Sequence, residues 1–370
     1  MAAIRPAATL EQSAQVEPRP SSAGTTLHSI QCLRAIAATI VVAFHAHISF
    51  MSPGSPLFSL DESYIFGLGK VGVHIFFVIS GYIMYISSFY KADKFDVPRF
   101  FMRRLLRIYP VYWIFVVIYL VVLAMLGTSP NLSAGQFWGM LFLLPESAPL
   151  VIGPAWTLSY EVYFYLIFGV VMQLGPARGL LTMTGFFFAS IVAGVLLHPQ
   201  EPLAAMVTNG LLLEFVMGVW IGRLSLGYEL PKAMGGLALA VAIGGYAAGF
   251  AWGYDRLPSA IMWGIPSAML VMGAVILEQR KSMGLSHPVQ RLSWLGNSSY
   301  SLYLCHILLI TLIIAAAKAA GVMLPVIPLV IVTTIIALLF AIVFHEVIER
   351  PAMSVLYAKL LPKRSVATVA

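Results

Sequence analysis

Residues 33–47 read LRAIAATIVVAFHAH. After Arg34 the chain is almost wholly apolar until two histidines arrive, His45 and His47, and the apolar character then continues to about residue 52. Crossing a bilayer takes roughly 20 mostly apolar residues. A run of this length without the period-two alternation of a barrel strand predicts a membrane-spanning helix. Working outward, nine further runs of the same kind lie near 70–90, 108–127, 156–174, 179–197, 203–222, 232–252, 258–277, 299–317 and 325–347. Of the 370 residues, 60% are hydrophobic and only 10% charged, too few charges to clothe a soluble domain of that size. The expected fold is all-α, a polytopic transmembrane bundle of about ten helices.

The net charge of +7 could suit nucleic acid, but the placement of the charges points elsewhere. With the N-terminus inside, 19 of the 22 Lys and Arg residues fall in cytoplasmic segments, and only Lys70, Arg256 and Lys318 face the other side. That bias predicts both termini cytoplasmic and no nucleic-acid partner. The two cysteines, Cys32 and Cys305, make no disulfide framework and no metal-ligand spacing, so no metal site is expected. Residues 1–29, polar and rich in Ala, Pro and Ser, are expected to form a disordered cytoplasmic tail rather than a cleaved signal. One integral domain then covers 30–350, and 351–370 forms a basic cytoplasmic tail. The longest outer segment, 128–155, contains FWGMLFLLPES (137–147), apolar but too short to span, and is predicted to lie at the interface or to re-enter. GVWIG (218–222) and GYAAG (245–249) read as close helix packing.

Polar side chains within spans are expensive, and each marks either a functional group or an interhelical hydrogen bond. Arg34 and His45, eleven residues apart, return to within about 20° of one helix face and are separated by about 16 Å along the axis. His47 points about 200° away from His45. In KADKFDVPRFFMRRLLRIYPVYW (91–113), Arg103, Arg104 and Arg107 come just before the third apolar run. At i, i+3 and i, i+4 spacing they can converge on a shared anion, for which the planar guanidinium is suited. The alternative is a topogenic cluster attracting anionic lipid. In GPAWTLSYEVYFYLIF (153–168), Glu161 lies about 8 to 9 Å below Trp156. It has Thr157 and Tyr165 on its face, and an imidazole is its natural partner; a polar clasp between helices is the other reading. LGNSSYSLYLCH (295–306) leads the ninth run, with Asn297 as the expected cap and His306 roughly 10 Å in, lining a tunnel or making a packing hydrogen bond. His74 is expected near the outer end of the second helix, at an acceptor entrance, and His345, Glu346 and Glu349 to pin the inner end of the last. Glu214 is buried without an assigned role. No P-loop, nucleophile elbow, HExxH or dinucleotide fingerprint is present, which argues against an ATPase, a serine esterase or a zinc enzyme.

Taken in order, Arg34-x10-His45, GVHIFFVISGYIM, RRLLRIYPVYW, PAWTLSYEVYFYLIF, LGNSSYSLYLCH and HEVIERP resemble the acyltransferase 3 family of integral membrane acyltransferases over about 30–350. FFVISGYIM and PAWTLSYE are most similar to its exopolysaccharide O-acetyltransferase branch. The resemblance implies a multi-pass protein of the bacterial cytoplasmic membrane. Such a protein moves an acyl group, usually acetyl, from cytoplasmic acyl-CoA to a hydroxyl of a glycan or lipid-linked saccharide. Acetyl-CoA is then a co-substrate, with no tightly bound cofactor. Membrane lipid surrounds the chain, and polysaccharide assembly machinery is an implied partner. By position, His45 resembles the catalytic histidine, Arg34 its motif partner, and Arg104-x-x-Arg107 the motif for handling acyl-CoA. Glu161 and His306 match further characteristic polar positions. His74 departs from the pattern, since relatives commonly carry Asp or Arg there, and no extracytoplasmic hydrolase-like domain is expected after the last span.

The resemblance gives the polar residues provisional roles. Arg34, Arg103, Arg104 and Arg107 would hold CoA phosphates, and His45 would act as general base on the acceptor hydroxyl with Glu161 orienting it. Ser301 and His306 would line the tunnel or stabilise the oxyanion. An acyl-histidine intermediate is the mechanistic rival, and a multi-helix transporter of a glycan-related or small polar substrate is the rival function.

Overall fold

The structure is a computed structural model that describes residues 27–51, 67, 69–90, 95–145, 151–252, 257–280, 292–321 and 325–361. The expected N-terminal tail up to residue 26, the tail beyond 361, residues 52–66 of the first outer loop, and 281–291 lie outside the described residues. Among the described residues there is no strand. Ten helices are long and apolar enough to cross a membrane, at the positions the apolar runs predict.

In chain order the helices are α1 (His28–Phe50), α2 (Val71–Phe89), α3 (Val97–Met125), the short α4 (Ala134–Phe142), α5 (Trp156–Val171), α6 (Pro176–Leu197), α7 (Pro202–Val207) and α8 (Leu212–Gly227). They continue with α9 (Lys232–Trp252), α10 (Ile265–Gln279) after a π turn at Ala260–Gly264, and α11 (Ser299–Ala320) after a 3-10 turn at Trp294–Ser298. The last are α12 (Val326–Phe344) and, beyond a π turn at His345–Glu349, α13 (Arg350–Leu360). Helices α6, α9 and α12 expose Leu181, Phe188, Leu237, Ile243, Ile331 and Leu339. In water such faces would be a large apolar patch; lipid covers them at no penalty.

The inner helices approach one another closely. Gly218 on α8 abuts the Val78 carbonyl of α2, and Gly81 on α2 abuts the Phe215 carbonyl of α8, so any side chain there would strike backbone. Gly245 and Gly249 likewise seat Pro266 and Trp263 against α9. Both small-residue pairs are thus packing motifs, as the sequence indicates. On the other face of α2, Gly72 meets the Ala37 carbonyl, and Gly69, just before the helix, meets that of Ile40. These contacts make α1 and α2 antiparallel and set their relative heights.

Two end effects fix the helices that carry the polar residues. No local side chain caps α1. Instead the Glu278 carboxylate at the end of α10 accepts from the His28 and Ser29 amides, each at 2.8 Å, and from Ser29 Oγ at 2.5 Å, supplying the anion that a helix N-terminus favours. Asn297 does not cap α11. A 3-10 turn precedes that helix, and Ser298 stands at its N-cap without a capping bond, its hydroxyl donating instead to Leu295 O at 3.0 Å.

The segment after α3 folds back into the bundle. After α3 ends, α4 begins with a capping box at Ser133 and Gln136 and runs back along α3. Its last carbonyls are met half-way down that helix: Tyr112 Oη donates to Met140 O at 2.7 Å, Trp113 Nε1 to Leu141 O at 2.9 Å and Tyr109 Oη to Phe142 O at 3.1 Å. Carbonyls ending a helix inside hydrocarbon need such donors, because no water reaches them.

Candidate active site

A cavity of about 60 Å³, room for a few waters, opens between α1, α2, α3, α5 and α11. Val73, Phe76, Phe77, Ser80 and Ile83 line it from one face of α2, at the i+3, i+4 spacing of a helix stripe. From Val73 to Ile83 that stripe extends about 15 Å. One end is polar, with Arg34, Arg107, Glu161 and Ser80; Tyr303 and Thr157 line the cavity further along.

Glu161 Oε1 accepts hydrogen bonds from Ser80 Oγ at 3.1 Å and from the Tyr165 hydroxyl. The expected imidazole partner is not there. Gly72 lies level with Ala37, and Ser80, two turns further along the antiparallel α2, lies level with the first turn of α1. Glu161 therefore sits at the Arg34 end, on the order of 20 Å along the axis from His45. The cause is the folded-back segment: α5 starts part-way into the bundle, where Pro154 meets Tyr303, so the carboxylate is carried further toward the Arg34 end. Of its two helical neighbours, Tyr165 bonds it as expected, whereas Thr157 is engaged by Tyr303 instead.

The three arginines of α3 part company. The helix begins at Val97, capped by Asp96 through the Arg99 amide at 3.1 Å, so all three lie within it rather than before it. Arg107 lines the cavity. Arg104 is buried beside it, donating to Ser87 Oγ at 2.6 Å with its guanidinium 5.6 Å from the ring centroids of Phe100 and Tyr165. Arg103 faces outward, exposed. At 100° per residue a two-turn cluster cannot aim three side chains at one point while one face of the helix is turned away from the bundle. Arg34 donates to Gln31 Oε1 at 3.1 Å. Among the described residues neither Arg34 nor Arg107 makes an ion pair, so two guanidinium groups face the cavity without a carboxylate bound to them.

At the other end stand the two histidines. His45 Nδ1 lies 2.9 Å from the Val41 carbonyl and His306 Nδ1 lies 3.2 Å from the Leu302 carbonyl, each four residues back on its own helix. A carbonyl only accepts, so each neutral ring carries its proton on Nδ1 and leaves Nε2 as a bare acceptor. The ring centroids are 5.0 Å apart. His306 is fully buried and its Nε2 has no hydrogen-bond partner. In that tautomer Nε2 has no proton to donate, so the neutral imidazole cannot stabilise an oxyanion; it can only accept. Tyr303 bridges the two regions, lining the cavity while its ring lies 5.9 Å from that of His306.

Ser301 is not in the cavity. It is fully buried, and its hydroxyl donates to Glu349 Oε2, which also takes His345 Nδ1 at 3.0 Å. These contacts pin the π turn after α12 to α11, the tethering expected of His345 and Glu349. Glu346 instead pairs with Arg350 at 2.7 Å on the exposed side.

The sequence missed one polar pair. His74 Nδ1 and Glu214 Oε1 lie 2.6 Å apart between α2 and α8, with side chains 8% and 0% exposed. Neither residue lines the cavity, so the expected acceptor entrance at His74 is a buried carboxyl–imidazole contact. The signal that could have linked them was two ionisable groups in apolar spans, each needing a partner of the other kind.

An acyltransferase domain signature matches residues 27–346, nearly the whole of the bundle. The chain belongs to the acyltransferase 3 family. It is therefore a multi-pass membrane acyltransferase. The exopolysaccharide production protein ExoZ of Rhizobium meliloti (strain 1021) is 33% identical over 270 residues, which cover 69% of this chain and 81% of that protein. Acyltransferase MdmB of Streptomyces mycarofaciens is 29% identical over 225 residues, 52% of this chain and 56% of its own length. The peptidoglycan O-acetyltransferase OatA of Listeria monocytogenes is 24% identical over 332 residues, 77% of this chain but only 49% of OatA. No solved structure matches the chain.

Proposed function

We propose that this acyltransferase takes an acyl group, acetyl by its similarity to OatA, from cytoplasmic acyl-CoA. We propose further that it esterifies a hydroxyl of an extracytoplasmic or lipid-linked glycan, an exopolysaccharide by its similarity to ExoZ. In this reading the protein sits in a bacterial cytoplasmic membrane with the Arg34 end of α1 inside, the orientation that the Lys and Arg distribution favours.

The observation that carries the proposal is the cavity's asymmetry. Two guanidinium groups without carboxylate partners face one end, where phosphates could be held. The remainder is lined by Val73, Phe76, Phe77 and Leu158, an apolar wall that suits a pantetheine arm better than a sugar. Beyond it lie two imidazoles with bare Nε2 atoms. Arg34 and Arg107 bind the donor's phosphates, with Arg104 positioned behind them. Arg103 serves the inner surface rather than the cavity. Glu161, fixed by Ser80 and Tyr165, sets the charge balance of the arginine end; with its carboxylate far from His45 it does not orient the base. His45 Nε2 takes the acceptor hydroxyl's proton as the oxygen bonds to the thioester carbon. The carbon–sulfur bond breaks, and the proton passes to the leaving sulfur. His306, bare at Nε2 beside it, is a second acceptor at the same spot. Polysaccharide assembly machinery would supply or receive the glycan.

The test is proton NMR of surface and secreted glycans from a deletion strain, restored by wild type or by His45→Ala. O-acyl signals should vanish on deletion and return with wild type. With His45→Ala they should stay at least about a hundredfold down, the usual size of a lost general base. Full restoration by His45→Ala would remove His45 from the chemistry.

A further inference from the structure

Tyr303 stands where the donor cavity ends and the histidine pair begins. Its ring lines the cavity, faces Phe76 edge-on at 6.4 Å and lies 5.9 Å from His306. Its hydroxyl is engaged twice. It donates to the Pro154 carbonyl and, with its one proton so used, accepts from Thr157 Oγ1 at 2.6 Å. Pro154 belongs to the 3-10 turn Gly153–Ala155 that leads into α5, so α11 is tied to the start of α5 at this point. Tyr303 and Thr157 are both buried.

The position matters because of what lies on either side. Two imidazoles with bare Nε2 atoms do not distinguish a sugar hydroxyl from water, since each offers the same O–H. Suppose a thioester met that pair without an acceptor. Water oxygen would bond to the acyl carbon, the carbon–sulfur bond would break, and the water proton would pass through Nε2 to the leaving sulfur. The products are a free carboxylic acid and free thiol. Excluding water until the acceptor is seated is a general requirement of acyl transfer.

Resting on the acyl-transfer reading above, we propose that the Tyr303–Thr157–Pro154 clasp is the partition between donor and histidines. Tyr303 is then a positioning residue that sets the ratio of transfer to hydrolysis. Opening requires only that one phenol turn out of two hydrogen bonds; no covalent bond or helix need move. Occupancy of the acceptor side is what makes that opening productive.

The test uses the purified full chain in lipid nanodiscs with acetyl-CoA and no acceptor, reading free thiol with a thiol-reactive chromophore. The same variants are scored in cells by glycan O-acyl NMR. Tyr303→Phe keeps the ring and removes both arms of the clasp, and Thr157→Val keeps the shape and removes one. Acceptor-free thiol release should rise about three- to tenfold in Thr157→Val, the range for one lost hydrogen bond, and at least as much in Tyr303→Phe, while O-acyl content falls or stays level. If wild type restores O-acyl signals and neither folded variant raises acceptor-free release, the clasp is not a partition. If wild type itself gives no gene-dependent O-acyl signal, the acyl-transfer reading goes, and the clasp proposal with it.

Discussion

Two glutamates in spans, Glu161 on α5 and Glu214 on α8, invite comparison. Both sit in largely apolar helices, and both are bonded to a side chain of α2, six residues apart: Ser80 for Glu161 and His74 for Glu214. Their surroundings differ. Glu214 is fully buried, touches the one imidazole and lies away from the cavity. Glu161 is half-buried, held by two hydroxyls that carry no charge, and shares its cavity with Arg34 and Arg107. A fully buried carboxylate bonded through one oxygen to a histidine of the next helix holds helices together. A carboxylate that shares a cavity wall with two arginines is, on the function proposed above, placed to meet a ligand. Ionisable groups in membranes are expensive in either case, so their presence alone does not tell the two uses apart; the neighbours do.

The largest effect separating the two should come from Glu214→Ala. It leaves His74 buried without its partner, a loss of about 3–5 kcal/mol. Thermal unfolding in detergent should show it as a much lower midpoint, with transfer per folded molecule changed less than about threefold. Unchanged stability with lost transfer would put Glu214 in the site and break the comparison. Next in size is Glu161→Gln, which removes the charge while keeping the shape. Transfer should fall about ten- to a hundredfold, the range of a charge-assisted hydrogen bond, with little change in the unfolding midpoint. Replacing both members of the buried pair, His74→Leu with Glu214→Met, should return stability to within about 1 kcal/mol of wild type, because matched apolar groups substitute well for a buried hydrogen-bonded pair. A double variant as unstable as Glu214→Ala would mean that the pair does more than clasp. The smallest effect should be that of Arg103→Gln. An exposed side chain outside the cavity should alter the KM for acyl-CoA less than about twofold, whereas Arg107→Gln should raise it about tenfold. Equal effects would restore the three-arginine anion site that the spacing suggested.

Much of this molecule is legible without coordinates. Ten apolar runs of spanning length became ten helices because hydrocarbon leaves the backbone no other way to satisfy its hydrogen bonds over such a run. The small-residue pairs GVWIG and GYAAG became close packing for the equally local reason that only glycine lets backbones approach so nearly. The placement of Arg34 and His45 on one face of α1 also follows from helix geometry alone.

What the sequence could not decide were relationships between helices. The depth of Glu161 depended on the folded-back α4, whose end is fixed by Tyr109, Tyr112 and Trp113 on another helix. Ser301 and His306 are five residues apart on α11, yet one turns to Glu349 and the other to His45. His74 and Glu214 are 140 residues apart, with nothing local to join them. Spanning helices form one by one from the chemistry of their own residues. Their polar groups find partners only when the bundle closes, and that pairing decides which of them is left to do chemistry.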